Sequence, residues 1–371
     1  MDGRDRRCVV NGKFLGRRAT GTERYASELV TAVDALLPAS ADWTLLCPPG
    51  TRTLPLARIR VRHVGPAGLP AHAWEQLALP AAAGGARLLN LAGTSPWAGA
   101  RRSASVLHDA AVFDHPEAYT RPFVAWYRRS FRHLAASGAR LMTVSAFSRE
   151  RLCAALGTPA SRWAVVPDAG DHFVRVAADT GAVSRLGLSG RRLLLAVASA
   201  NPTKNLERLL DAYRRLAPGD DVRLVLVGGG NAAVFSAEAG GVAAGRPAGD
   251  ADDPAGVVRT GPVDDATLKA LYLQARALVF PSLYEGFGLP PLEAMSLGCP
   301  VVAARAASLP EVCGDAALYV DPLSVDSIAA GMRRILDDDA LVARLTAAGR
   351  ARAATMTWRA SAERLLEALG P

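Results

Sequence analysis

Two carboxylates eight residues apart, Glu285 and Glu293, bracket a turn built to meet an anion. The segment reads Phe280-Pro281-Ser282-Leu283-Tyr284-Glu285-Gly286-Phe287-Gly288-Leu289-Pro290-Pro291-Leu292-Glu293. An apolar strand ends at Phe280, a glycine-rich turn follows, and the prolines suit a first helical turn. Amides at such a turn and helix start point outward and can hold a phosphate. Gly286 and Gly288 let the backbone come close to it. The carboxylates accept hydrogen bonds from paired hydroxyls, so sugar or ribose diols suit them. The prolines place Glu285 in the loop and Glu293 in the first helical turn, both at the carboxyl end of a parallel strand, where open α/β sheets bind ligands. The same residues also fit a plain proline-rich turn whose Glu293 offsets a helix dipole.

Three further clusters bear chemistry. Ala198-Ser199-Ala200-Asn201-Pro202-Thr203-Lys204-Asn205 follows an apolar strand and precedes an amphipathic helix. Lys204 is a compact cation at that strand-to-helix turn, a good position for phosphate. An idle lysine there would oppose the helix dipole. Lys13, Lys204 and Lys269 are the only lysines of a chain rich in arginine, which makes each of them worth following. Thr20-Gly21-Thr22-Glu23 opens the first long helix, and Gly21 could bring an amide to a phosphate or a sugar. Leu107-His108-Asp109 ends a strand, where His108 could bond a sugar hydroxyl or move a proton, or serve only the fold.

Short apolar runs alternate with helical patterns along the whole length. The first series of strands is 8–10, 44–46, 58–62, 88–91, 105–107 and 141–144; the second is 193–197, 222–227, 277–280 and 301–303. Several are apolar on both faces, as strands of helix-covered parallel sheets are. Leu206, Leu209, Leu210, Tyr213 and Leu216 follow helical spacing behind Asn205 as cap, and Ser145 caps the next helix after strand 141–144. Alternation of strand and helix predicts an α/β chain with two doubly wound domains. The boundary falls near residue 172, before a polar stretch that runs to Gly190. The Gly, Ala, Pro and Asp-rich segment 240–256 reads as a surface loop.

The chain has 371 residues, so two domains fit its length. Half of it is hydrophobic and 21% is charged, which excludes a disordered polymer or a disulfide miniprotein. The net charge is +8 and suits anionic partners, but the basic residues are scattered and aromatics make up only 6%, so a nucleic-acid platform is not expected. Five cysteines with no CxxC spacing read as reduced thiols. No window is apolar enough to span a membrane, and the N-terminus does not read as a secretory signal. A cytoplasmic protein follows, with peripheral attachment at the inner face of a membrane left open.

Together these pieces resemble the family 4 retaining glycosyltransferases, members of the glycosyl transferases group 1. Glu285 to Glu293 is similar to that family's E-x7-E signature. The likeness continues through Gly298-Cys299-Pro300-Val301-Val302, Leu309-Pro310-Glu311-Val312, Asn201-Pro202-Thr203-Lys204-Asn205, Thr260-Gly261-Pro262-Val263-Asp264-Asp265, Ala73-Trp74-Glu75-Gln76-Leu77 and the final helix 358–369. The resemblance implies the GT-B fold: two Rossmann-like doubly wound domains facing a central cleft. Residues 1–172 would bind the acceptor, joined by a C-terminal helix of about 355–371, and residues 173–354 would bind a nucleotide-sugar donor.

It also implies roles. Glu285 would contact donor sugar hydroxyls and Glu293 the ribose. Lys204 and the amides around Phe287, Gly288 and Leu289 would hold the diphosphate, Ser199 and Gly286 would also bind the donor, and Gly21 would meet the phosphate from the N-terminal side. His108 would lie near the reacting sugar and Val263 would touch the base. The implied reaction moves a hexosyl group, mannosyl first, from a GDP-, UDP- or dTDP-linked sugar to a glycan, lipid-linked or small-molecule hydroxyl. Neither a cofactor nor a divalent ion is expected. Two departures stand out: Ala198 replaces an arginine common in relatives, and Pro167-Asp168-Ala169-Gly170-Asp171 replaces their usual inter-domain turn. A metal-dependent transferase would need an Asp-x-Asp site, and Asp250-Ala251-Asp252 has the letters but reads as solvated loop. An epimerase of similar architecture and a non-catalytic nucleotide-binding module also fit the pattern.

Overall fold

A computed structural model describes residues 7–16, 20–229 and 255–370. The chain divides into two compact units. One comprises Met1–Asp114, Val124–Asp168 and Trp358–Pro371; the other comprises His115–Phe123 and Ala169–Thr357. The division therefore falls between Asp168 and Ala169, a few residues before the boundary near 172 that the sequence suggests. Asp250-Ala251-Asp252 and most of segment 240–256 lie outside the described residues.

The first unit holds a parallel sheet of β1 (Cys8–Asn11), β2 (Trp43–Cys47), β3 (Arg60–His63), β4 (Arg87–Asn90), β5 (Ser103–Val106), β6 (Arg140–Thr143) and β7 (Trp163–Val165), in the order β3-β2-β1-β4-β5-β6-β7. The second holds β8 (Arg192–Ala198), β9 (Val222–Gly228), β10 (Val257–Gly261), β11 (Ala275–Phe280), β12 (Val301–Ala304) and β13 (Ala317–Val320), in the order β10-β9-β8-β11-β12-β13. Both are doubly wound, with the strand order reversing between β1 and β4 and between β8 and β11. That reversal opens a crevice at the strands' carboxyl ends.

Three strands absent from the two apolar series, β7, β10 and β13, are all sheet edges. An edge strand has one neighbour, and these three are only half buried, so they lack the doubly apolar signature. β3 is also an edge and starts at Arg60, later than its Arg-Ile-Arg alternation suggests. The Asp34 carboxylate accepts the backbone N–H groups of Ala57, Arg58 and Ile59 at 2.7–2.8 Å, which removes them from the ladder.

The helix Leu206–Leu216 buries Leu206, Leu209, Leu210, Tyr213 and Leu216 against Leu194, Leu224 and Val279 of the sheet. Asn205 precedes it but does not cap it by its side chain. It sits in the left-handed region at φ +61°, and its Nδ2 donates to the carbonyls of Pro281 (3.0 Å) and Pro322 (2.7 Å). Ser145 does cap its helix, its Oγ accepting from Ser148 N–H at 3.0 Å. The final helix, Trp358–Leu369, belongs to the first unit, where Trp358 packs edge-on to Tyr25 and Arg87 donates to Leu369 O at 2.7 Å.

Candidate active site

In the second unit, β8 and β11 are neighbours and their carboxyl ends lead into the two turns richest in chemistry. The turns are stitched together. Leu283 N–H donates to Thr203 O at 2.7 Å, Asn205 joins Pro281 O, and Lys204 Nζ donates to Glu285 Oε1 at 2.6 Å. Residues 81 apart in sequence thus form one ion pair, partly open to solvent with side chains 20% and 11% exposed. The Lys204 ammonium also lies 5.5 Å from the Phe280 ring centre. Ser199 sits one turn earlier, its Oγ accepting from Asn201 N–H at 3.4 Å, and Asn201 in turn caps the short helical turn at Pro202–Lys204.

The helix Leu289–Ser296 starts at the end of the glycine-rich turn. Pro290 and Pro291 occupy its first turn without breaking it, so Glu293 falls one turn in, and not within the first turn as its spacing from the prolines suggests. Prolines carry no N–H, so of the first three helical residues only Leu289 has a donor outside the helical ladder. Gly288 is at φ +101°, and a Cβ there would lie 2.6 Å from Leu309 Cδ2, so only glycine fits. Ser308, fully buried, donates to Phe287 O (2.7 Å) and lies 3.0 Å from Glu285 O, fixing the turn from behind. Ser282 Oγ is buried here with no hydrogen-bond partner among the described residues.

Glu293 is not an exposed helix-dipole residue. It is 3% exposed; Tyr272 OH donates to its Oε2 at 3.0 Å and His172 Nε2 stands 3.1 Å from its Oε1. His172 follows the unusual inter-domain turn, whose Gly170 lies so close to Leu292 that a Cβ would meet its carbonyl oxygen at 2.6 Å. Tyr272, His172 and Ser308 are not legible in the sequence as site residues, since nothing in their local sequence links them to the signature. Val263 is half buried just before Asp264, whose carboxylate accepts Thr267 N–H at 2.8 Å. Ala198, at the end of β8, is packed by backbone: a Cβ on the adjacent Gly228 would lie 2.0 Å from its carbonyl oxygen.

The first unit carries the other two candidates. Gly21 opens the helix Gly21–Leu36, and a Cβ there would touch nothing within 4 Å. Glu23 folds back to accept the Thr20 N–H (3.3 Å) and hydroxyl. His108 donates Nε2–H to Leu91 O at 2.8 Å, packs edge-on to Tyr25 at 4.8 Å, and is held below the usual histidine range by burial. A neutral ring with that tautomer leaves Nδ1 as an acceptor. At the reversal point of this sheet, Lys13 Nζ donates to Glu75 Oε2 at 2.7 Å, and Asn11 Nδ2 donates to Oε1 at 2.8 Å. This pair is sealed, with side chains 3% and 0% exposed. Burial opposes the charge on Glu75, but His72, Lys13 and Asn11 together hold its carboxyl down at about 2.

Among the described residues, no cluster of three or more metal-ligating side chains occurs and no helix is long and apolar enough to cross a membrane.

Comparison with known proteins places this arrangement. The profile of the family "Glycosyl transferases group 1" matches residues 184–352. The O-antigen chain mannosyltransferase B of Escherichia coli is 34% identical over 265 residues, which is 69% of this chain and 67% of that protein. The sucrose-phosphate synthase of Thermosynechococcus elongatus superposes with a TM-score of 0.72 at 19% identity over 96% of both chains. The Anabaena protein HepE, crystallised with UDP and glucose, superposes with a TM-score of 0.68 at 16% identity over 98% of both. The two-unit α/β fold is GT-B.

Proposed function

The chain belongs to the glycosyl transferases group 1 and is a glycosyltransferase; from that premise we propose that it moves a mannosyl group from a nucleotide-diphosphate donor, GDP-mannose first, to a hydroxyl of a growing glycan with retention of configuration. The observation that carries this reading is the Lys204–Glu285 pair beside the glycine-rich turn, at the point where the second sheet reverses its order. One cation and one carboxylate wait there side by side. A diphosphate takes the cation, and a sugar diol takes the carboxylate.

In this mechanism the bond between the anomeric carbon and the diphosphate oxygen breaks. Positive charge builds on the sugar ring and negative charge on the leaving diphosphate. Lys204 and the amides of Gly286, Phe287, Gly288 and Leu289 stabilise that negative charge, with Ser199 adding a contact. Glu285, released from Lys204, accepts donor sugar hydroxyls. Glu293, held by Tyr272 and His172, takes the ribose hydroxyls, and Val263 meets the base. The acceptor oxygen attacks the same face of the sugar, and its proton passes to the departing phosphate oxygen. Neither a metal nor a cofactor has a part in these steps.

The relative named above is an O-antigen mannosyltransferase, which supports mannose and a glycan acceptor. The test is a proton-NMR time course with GDP-, UDP- and dTDP-sugars and mannose-terminated oligosaccharides, run in excess chelator. The expected result is release of GDP and an α-linked mannosyl product. Isomerised donor without acceptor would instead identify an epimerase, and a requirement for divalent metal would contradict the mechanism.

A further inference from the structure

The first unit carries an aromatic cluster that the mechanism does not use. Trp97, from the loop between β4 and β5, lies parallel to Trp126 of the helix Arg121–Ala136, with ring centres 5.7 Å apart and planes at 11°. His133 stacks on Trp97 at 5.3 Å, and the Arg129 guanidinium lies 5.0 Å from its ring centre. His72, in the first turn of the helix Ala71–Ala83, meets Trp126 edge-on at 5.5 Å. His72 and Trp126 both lie in the N-terminal halves of helices that follow the carboxyl ends of strands, the side on which such sheets bind ligands.

The polar atoms of this cluster are unusual. Nε1 of Trp97, Nε1 of Trp126, Oγ of Ser130 and Nδ1 of His72 are all shielded, and none has a hydrogen-bond partner among the described residues. His72 Nδ1 stands 3.9 Å from Glu75 Oε2, too far for a hydrogen bond but close enough to favour that carboxylate's charge. Ser130 is one helical turn from Trp126 and so shares its face. Buried polar groups are nearly always paired in folded proteins, and four orphans in one cluster ask for a common partner. Packing alone would be served as well by phenylalanine. The rings themselves are only half buried and the His72 side chain is 43% exposed, so a ligand can reach the rings, and it meets the shielded polar atoms when these side chains turn.

The chemistry selects the ligand. Indole N–H groups only donate, the serine hydroxyl donates and accepts, and an imidazole nitrogen donates or accepts by its tautomer. The half-buried indole rings beside them offer flat C–H surface of the kind a pyranose packs on. A hydroxyl-rich sugar answers all of these at once. A cationic ligand is excluded by Arg129 on Trp97, and a wholly apolar one would leave the donors unpaired. We propose that Trp97, Trp126, Ser130 and His72 form a carbohydrate subsite that holds a pyranose of the acceptor glycan. The proposal rests on the glycan-transfer reading above and names the acceptor residues that it lacks.

The test compares the wild-type protein with Trp126→Ala, Trp97→Ala and the milder Trp126→Phe, which keeps a ring and removes the N–H. The probe is a mannotriose, followed by saturation-transfer NMR without donor and by initial rates with donor. The expected result is saturation transfer to the wild type, lost in both alanine variants. Acceptor KM should rise at least tenfold in those variants and severalfold in Trp126→Phe, while kcat and the thermal shift given by GDP stay near wild type. Wild-type acceptor KM and saturation transfer in folded Trp126→Ala and Trp97→Ala would overturn the subsite, as would a wild type that shows no saturation transfer. Absence of any transferred product while mannotriose still binds at these residues would instead overturn the transferase substrates and leave the subsite standing.

Discussion

Lys204 and Glu285 pair with each other across two turns, and that is what makes them informative. At 2.6 Å the pair is a charge-assisted hydrogen bond, yet its side chains keep 20% and 11% exposure, so solvent and ligand both reach it. Partly exposed pairs of this kind add little to folding, of order 1 kcal/mol. The expected consequence is a separation of effects. Lys204→Ala and Glu285→Ala should each lower kcat/KM by about 10² to 10³, as removal of an electrostatic stabiliser does. Their urea midpoints should stay close to wild type; a midpoint that collapses, or a rate that does not, would contradict the assignment. Ser308→Ala is the subtler variant. It removes the bonds that fix Phe287 O and Glu285 O, so donor KM should rise several-fold at a stability cost of about 1–2 kcal/mol. Initial rates against donor concentration check the first part and urea titration the second. At this scale Lys204, Glu285 and Gly288 are legible in the sequence because charge and glycine stand out against a strand-turn-helix pattern. Ser308, His172 and Tyr272 are not, because they come to the site only through the tertiary fold.

Each unit pairs a lysine with a glutamate, by different elements. In each unit the sheet reverses order, and the turns after the paired central strands must meet: β1 with β4, β8 with β11. In the second unit that meeting leaves Lys204 and Glu285 accessible. In the first, Lys13 of the turn after β1 is buried against Glu75 of the helix Ala71–Ala83, which precedes β4, among Asn11, Asn90 and Thr94, and this pair is a structural lock. Lys269, the third lysine, clamps the carbonyls of Phe173 (2.8 Å) and Val176 (2.7 Å). The lock makes a pH prediction. The Glu75 carboxyl titrates at about 2 in the fold, below its ordinary 4.5, so its ionisation stabilises the protein above the ordinary range, by roughly 3 kcal/mol. That contribution is lost as pH falls from about 4.5 through about 2. Glu75→Gln should cost about 3–5 kcal/mol at pH 7, because Lys13 is left buried without its counter-charge. The difference from wild type should shrink toward pH 2, and denaturant titrations at several pH values measure it; a pH-independent difference would contradict the lock. The central strands are legible from their doubly apolar runs, whereas β7, β10 and β13 are not, because an edge strand has less to bury.

At the scale of the whole molecule, the chain passes between its units more than once. The segment His115–Phe123 leaves the first unit to join the second, and the helix Trp358–Leu369 returns to the first. Within the second unit Tyr119 OH accepts from Asn201 Nδ2 at 3.3 Å and His115 packs edge-on to Tyr284 at 4.9 Å, so that excursion lies on the turns after β8 and β11. Sequence periodicity finds strands and helices but not such an excursion, which has no pattern of its own. Binding of a nucleoside diphosphate should stabilise the folded protein by about 2.7 kcal/mol at a hundred times its Kd. A thermal-shift titration with GDP checks this, and Lys204→Ala should need far more ligand for the same shift. The account as a whole turns on where the diphosphate sits. The most direct measurement is a crystal structure of the protein with GDP bound. It should show the terminal phosphate within hydrogen-bond distance of Lys204 Nζ and the Leu289 amide, with Glu285 parted from the lysine. A diphosphate bound elsewhere, with the 2.6 Å Lys204–Glu285 contact unbroken, would contradict it.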